Sequence, residues 1–218
     1  ISDLDGLGPR IAKLNQELKD ARKGRDQTGR EIAEKRKKVF ARMARKIRHE
    51  LGDLGLPDVR LRLQSRKRKE PGPLGTEEQA FLISTNPGIE PGPLGEVPSG
   101  GELSRITLAI AVVLAEKETT PVLIFDEVDS GVGGRLGKVI GEKLRGLSEN
   151  RTVLAVTHTP QIAALADRQY MVEKVRGKDS TAVRVRFLEK EDRVNEITDM
   201  LGGGKAAERQ AGELLSVR

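Results

Sequence analysis

Three short groups of residues in this chain have the types and spacing to do chemistry. Asp126 and Glu127 follow the wholly apolar run Val122-Leu123-Ile124-Phe125. Two carboxylates after such a run are costly unless they are used. The first can hold Mg²⁺ directly or through water, and the second can take a proton from a water that attacks a γ-phosphate. Thr157 and His158 follow a second apolar run, Val153-Leu154-Ala155-Val156. An imidazole there can hydrogen-bond a γ-phosphate and position the water. The third group is Pro98-Ser99-Gly100-Gly101-Glu102-Leu103-Ser104-Arg105, which leads into an apolar helix from Ile106 to Ala115. Ser99 stands at an N-cap position and Glu102 three residues on, the spacing of a capping box. Paired glycines let a backbone come close to a ligand, and a helix N-terminus suits phosphate. Each group alone also fits ordinary structure: a capped helix, a strand ending in surface acids, a structural histidine. Their order along one chain points to a shared site. His49, on a long charged helix, has no such neighbours and is read as structural.

The apolar runs at 122–125 and 153–156 read as buried parallel strands, and ligands bind at the carboxyl ends of such strands. Gly131 to Gly134 turn the chain into a helix from about residue 135 to 147, and a short helix covers 160–166. Tyr170-Met171-Val172 and 183–187 read as strands about a Gly177-Lys178-Asp179 turn. Ile197, Met200 and Leu201 mark a helix stopped by Gly202-Gly203-Gly204, and a polar helical tail follows. Strand–helix alternation predicts an α/β fold, a mostly parallel sheet with flanking helices and right-handed crossovers.

Upstream, apolar residues step by four and three: Leu7, Ile11, Leu14, Leu18, Ala21. This heptad seam weakens between Gly24 and Gly29, then resumes as Ile32, Val39 or Phe40, Met43, Ile47 and Leu51. Residues 9–51 therefore read as one long charged helix, irregular near the glycines, whose coiled-coil partner lies elsewhere. Gly52, Gly55 and Pro57 end it, which sets an arm at 1–55 and a lobe at 56–218. Val59 to Leu63 alternates apolar and basic, a half-exposed strand. Residues 65–78 read as a polar turn region, and 81–86 as the next strand. The hexapeptide Glu-Pro-Gly-Pro-Leu-Gly occurs at 70–75 and again at 90–95, and reads as loop chemistry flanking that strand.

The 218 residues are enough for one domain plus an extension, and the first is Ile rather than Met, the expectation for a fragment or a processed chain. There is no cysteine, which excludes disulfides and thiolate metal sites and fits a reducing cytoplasm. No signal peptide or membrane-length apolar run is present. Residues 1–70 hold 21 Lys and Arg against 11 Asp and Glu, while the remainder is net acidic. The basic end, with its run Lys35-Arg36-Lys37-Lys38, suits either nucleic acid or solvent. With 4 Phe, 1 Tyr and no Trp, base stacking is excluded as the main binding mode.

The motifs together resemble the C-terminal half of an ABC-type ATPase head, and most closely the RecN family, an SMC-like branch of DNA repair ATPases. The wording that carries this is FLISTNPG at 81–88, SGGELSRITLAI at 99–110, FDEVDSGVGG at 125–134 and VTHTPQIAALAD at 156–167. The resemblance implies that Ser99, Gly100, Gly101 and Glu102 form the ABC signature, and that Asp126 is the Walker B Mg²⁺ ligand. It implies that Glu127 is the catalytic base, Asp129 the D-loop aspartate and His158 the switch histidine. Pro98 departs from the small or aliphatic residue expected before the signature serine. No Gly-Lys pair in the chain, at 137–138, 177–178 or 204–205, completes a P-loop. The resemblance therefore implies that ATP and Mg²⁺ need a P-loop lobe that lies N-terminal in that family. It also implies a second head in a homodimer, DNA as a partner, no membrane, and a bacterial cytoplasm close to the nucleoid. This chain alone is expected to be inactive. Competing expectations are a Rad50-like tethering head with minor turnover, a transporter subunit, and a module that only binds DNA. The long basic arm and the missing P-loop count against the second. The acidic strand ends count against the third.

Overall fold

The computed structural model describes residues 7–96, 99–176 and 181–216. The joint expected before Gly8, Pro98, and the Gly177-Lys178-Asp179 turn fall wholly or partly outside them. Helix α1 runs unbroken from Leu7 to Asp53, straight through Gly24 and Gly29. Its sequence is rich in Lys, Arg, Glu, Gln and Ala, good helix formers that carry it across the two glycines. Gly29 is buried because it sits against Thr76. The first half of the seam, Leu7, Ile11, Leu14 and Leu18, is exposed. In the second half Ile47 and Leu51 are buried and Phe40 stacks on Phe81 with ring centroids 5.4 Å apart, while Val39 is exposed; Ala33 and Ala44, outside the seam, are buried as well. Lys143 holds the root of the arm, donating to Glu50 at 2.6 Å and to Asp53 at 3.0 Å. Leu56 N–H closes on Leu51 C=O at 2.8 Å, and Gly55, at φ 76°, turns the chain away.

The expectation of a polar turn at 65–78 is overturned. Strand β1 (Arg60–Gly72) and strand β2 (Gly75–Ser84) form one long antiparallel ribbon. Beyond Leu63 the ladder continues through Ser65↔Gln79, Arg66↔Glu78 and Lys67↔Glu77. Cross-strand opposite charges support pairing where an apolar face would otherwise be needed. The arm also braces the ribbon, since Arg36 Nη1 donates to Leu74 C=O at 2.8 Å. The first copy of the hexapeptide makes the hairpin turn, with Gly75 at φ 108°. The second copy forms β3 (Gly92–Pro93), which pairs with β2, and then a 3₁₀ turn over Leu94–Glu96.

Helix α2 (Gly100–Leu114), strand β4 (Val122–Phe125), helix α3 (Gly134–Ser148), strand β5 (Thr152–Ala155) and helix α4 (Pro160–Leu165) follow in order. Strands β4 and β5 are parallel, with Val122↔Thr152 through Phe125↔Ala155 in register. This parallel pair joins the antiparallel β1–β2–β3 and β6–β7 sheets in a mixed α/β architecture. The main core gathers Ile47, Leu51, Ile106, Phe125, Ile140 and Ile162 from five different elements. The expectation that β4 and β5 are buried on both faces is corrected. Ile124 is 69% exposed and Val156 63%. One face packs on α2 and α3, and the other has no cover among the described residues. Strands apolar on both faces are built for a layer on each side.

Strands β6 (Tyr170–Arg176) and β7 (Thr181–Phe187) form the antiparallel hairpin. Helix α5 (Lys190–Met200) ends at Gly202, Gly203 and Gly204, all with positive φ, and helix α6 (Gly204–Ser216) closes the chain. Ile197 and Ala211 pack there against Ala163 and Ala164 of α4.

Candidate functional site

The start of α2 is built by its sequence. Ser99 is extended, at φ −130° and ψ 143°, and its Oγ accepts from Glu102 N–H at 3.1 Å. The Glu102 carboxylate accepts from Thr85 Oγ1 at 3.0 Å, which ties the helix start to the end of β2. Gly100 and Gly101 form the first turn and lie against the segment that follows β4. A Cβ on Gly101 would fall 2.8 Å from Ser130 Cβ and 3.1 Å from Ser130 C=O. Only glycine lets the two backbones approach this closely. Gly100 faces the carboxylate of Glu127.

Asp126 and Glu127 leave the end of β4 as exposed carboxylates. The chain then turns sharply, with Ser130 N–H donating to Glu127 C=O at 3.0 Å. Glu127 has φ 56°, the one positive value outside glycine among the described residues. Such a conformation is uncommon for a side-chain-bearing residue and costs about 1 kcal/mol or more. Two groups of α2 hold the turn at its ends. Ser104 Oγ donates to Asp126 C=O at 2.6 Å, and Arg105 Nη1 donates to Ser130 C=O at 3.0 Å.

Val156 N–H donates to Phe125 C=O at 2.9 Å, extending the ladder one step past β4 and β5. That step brings Thr157 and His158 beside Asp126 and Glu127, and all four border one open cavity. Asp129 is 1% exposed at its back. Its Oδ2 accepts from His158 N–H at 3.0 Å, Thr159 N–H at 3.1 Å and Thr157 Oγ1, and lies 3.4 Å from His158 Nδ1. Burial pushes the Asp129 carboxyl up, but these hydrogen bonds and the facing imidazole outweigh it and hold it below the ordinary aspartate value. The His158 side chain is 76% exposed. The structure thus joins the expected D-loop aspartate and switch histidine within one chain, with Asp129 at the back of the cavity and its Oδ2 engaged by the 157–159 segment.

Asp129→Asn is expected to cost about 1.5–3 kcal/mol near neutral pH, because hydrogen bonds to a charged acceptor are lost. A depressed folded pKa contributes stability above the unfolded value of 3.8 and loses it as pH falls through the folded one. Urea midpoints of the two proteins should therefore differ near neutral pH and converge in acid. Equal midpoints at neutral pH would remove the anchoring role.

Sequence reasoning did not assign Thr85, Ser104, Arg105 or Thr157. One signal for Arg105 was available: it lies four residues after Gly101 on the buried face that continues through Ile106, Leu108 and Ala109. A lone cation on an otherwise apolar helical face marks a specific partner.

The residues present fit part of a nucleotide site. Gly100 and Gly101 leave a helix N-terminus bare of side chains. Among the described residues no group of three or more His, Asp or Glu is placed to hold a metal ion. One exposed carboxylate fits Mg²⁺, which takes one or two protein ligands and completes its shell with phosphate oxygens and water. No helix among the described residues is long and apolar enough to cross a membrane.

No family model matches the chain. It is 48% identical over 120 residues to a DNA repair protein RecN of Streptomyces coelicolor, covering 54% of this chain and 21% of that protein. It is 44% identical over 123 residues to a DNA repair protein RecN of Xylella fastidiosa, covering 55% of this chain and 22% of that one. The chain thus spans about a fifth of the length of the curated relatives it matches. The crystal structure of an Smc head domain with a coiled coil and joint, from Pyrococcus yayanosii, superposes with a TM-score of 0.53 at 20% identity. It covers 93% of this chain and 38% of that one, and shows the fold. The resemblance to RecN carried by the four motifs is borne out, and the fold is that of part of an SMC head.

Proposed function

From that kinship we propose that this chain is the C-terminal half of a RecN-like, SMC-type ATPase head that acts in repair of broken DNA. The observation that carries the reading is the alignment of Asp126 and Glu127 with Thr157 and His158 at the ends of two paired parallel strands. In this reading a P-loop lobe completes the head and holds the α- and β-phosphates of ATP. The uncovered apolar face of β4 and β5 supports such a second layer.

Asp126 would hold Mg²⁺, which when bound neutralises phosphate charge. Glu127 accepts a proton from the attacking water, whose oxygen bonds to the γ-phosphorus as the bridging bond to ADP breaks. His158 donates a hydrogen bond to the γ-phosphate, and Asp129 holds the segment that carries it. Ser99, Gly100 and Gly101 cap the γ-phosphate of nucleotide on a second head, so ATP closes a homodimer and hydrolysis opens it. DNA is the proposed partner of the basic arm, where Lys35, Lys37 and Lys38 are exposed.

Steady-state phosphate release tests the reading, with the chain alone and combined with its P-loop lobe. Turnover is expected only in the combination, and only with Glu127 intact. Glu127-dependent turnover by the chain alone would overturn the composite site, and an inactive combination would overturn the ATPase reading itself.

A further inference from the structure

We infer that Arg105 is a positioning residue that sets the direction of Glu127 through the backbone of the turn between them. The inference rests on the ATPase reading above and adds a residue to its machinery. Arg105 is 9% exposed, on the face of α2 that buries Ile106, Leu108 and Ala109. Burial pulls its guanidinium below the ordinary value, while the charge of Glu102 acts the other way. Its Nε has no partner among the described residues. A buried donor left open costs free energy, so leucine would make a cheaper packing residue at this position. The bond that Arg105 does make is specific: Nη1 to Ser130 C=O, at the far end of the turn that begins with Asp126 and Glu127.

Ser104 grips the near end of the same turn at Asp126 C=O. Gly101 lies flat against its middle, where an added Cβ would sit 3.3 Å from Glu127 C=O. Between the two grips Glu127 holds φ 56°. A residue stays in that region only where its surroundings over-determine it. No side-chain hydrogen bond of Glu127 exists among the described residues to aim its carboxylate in any other way. The backbone aims it, and Arg105 and Ser104 fix the backbone. Without Arg105 the Ser130 carbonyl is freed, the turn relaxes, and the carboxylate drifts from the water it must deprotonate. Misplacement of a catalytic group by about 1 Å costs on the order of 100-fold in rate.

The test uses the chain combined with its P-loop lobe and measures kcat and KM for ATP, with thermal unfolding alongside. Arg105→Ala is expected to lower kcat by about 10- to 100-fold while KM stays within about twofold. Arg105→Lys, which keeps the charge and part of the reach, should recover part of kcat. In a Glu127→Gln background, Arg105→Ala should leave ATP-dependent dimerisation intact, because Arg105 acts on the base and not on the helix start. If Arg105→Ala does not fold, Ser104→Ala releases the other grip and should show the same fall in kcat at constant KM. An unchanged kcat overturns the inference. So does a fall in kcat accompanied by raised KM and lost dimerisation, which marks general loosening of α2. A wild-type combination with no turnover overturns the parent reading instead, and is told apart by that control.

Discussion

In the proposed composite head, Glu127→Gln is expected to lower ATP turnover by roughly 10²–10⁴-fold and to trap the ATP-closed dimer. The substitution keeps the length and shape of the side chain, so the room that Gly100 leaves for it is still filled. The grips of Ser104 and Arg105 on the turn are untouched, because both take backbone carbonyls. What is lost is the ability to take a proton. Nucleotide binding and closure depend on other groups, and closure without hydrolysis accumulates the closed state. Phosphate release gives the first quantity and size-exclusion chromatography in ATP gives the second. A variant that hydrolyses at the wild-type rate would remove Glu127 from the role of base.

Ser99→Arg is expected to abolish the proposed ATP-dependent dimerisation. Two effects add. The first is local: Ser99 Oγ caps Glu102 N–H, and losing such a cap costs about 1 kcal/mol. The second is larger and lies between the proposed heads: a long cation at the start of α2 would fill the space that the other head's γ-phosphate is proposed to enter. Ser99→Ala separates them, since it removes the hydroxyl, with its cap and its proposed phosphate contact, and adds no bulk or charge. It should lower stability by about 1 kcal/mol and weaken the dimer less than Ser99→Arg does. Light scattering with and without ATP reads both variants. A Ser99→Arg protein that dimerises normally in ATP would exclude the capping role in the partner's site.

Most of the site was legible in the sequence because it depends on local rules. An apolar run ending in acids marks a strand end, and Ser-Gly-Gly-Glu marks a helix start. Neither needs long-range information. The parts that escaped are tertiary. The β1–β2 ribbon lacks an apolar alternation beyond Leu63, so period-two reasoning stops there, although charge pairing and the arm carry the strands on. The repeated hexapeptide shows the limit directly, since one copy is a hairpin turn and the other an edge strand. Six identical residues take whichever form their neighbours complete. The apolar runs of β4 and β5 suggested burial on both faces, and one face is open among the described residues. Asp129 looked like a residue for nucleotide or partner. Its position behind Thr157 and His158 depends on the pairing of β4 with β5, which no local window contains.

The 47 residues of α1 extend about 70 Å, and the half from Gly29 to Asp53 is fastened, by Thr76 against Gly29, Phe81 on Phe40, Leu74 C=O on Arg36 and Lys143 at the root. Ile47 and Leu51 pack into the same core as Ile106 and Leu108 of α2, whose first turn carries Ser99 to Glu102. Any shift of α2 that this core transmits would therefore reach the packed half of the arm first. The exposed half, residues 7–28, extends about 33 Å, so a bend of about 5° where the packing stops displaces Leu7 by roughly 3 Å.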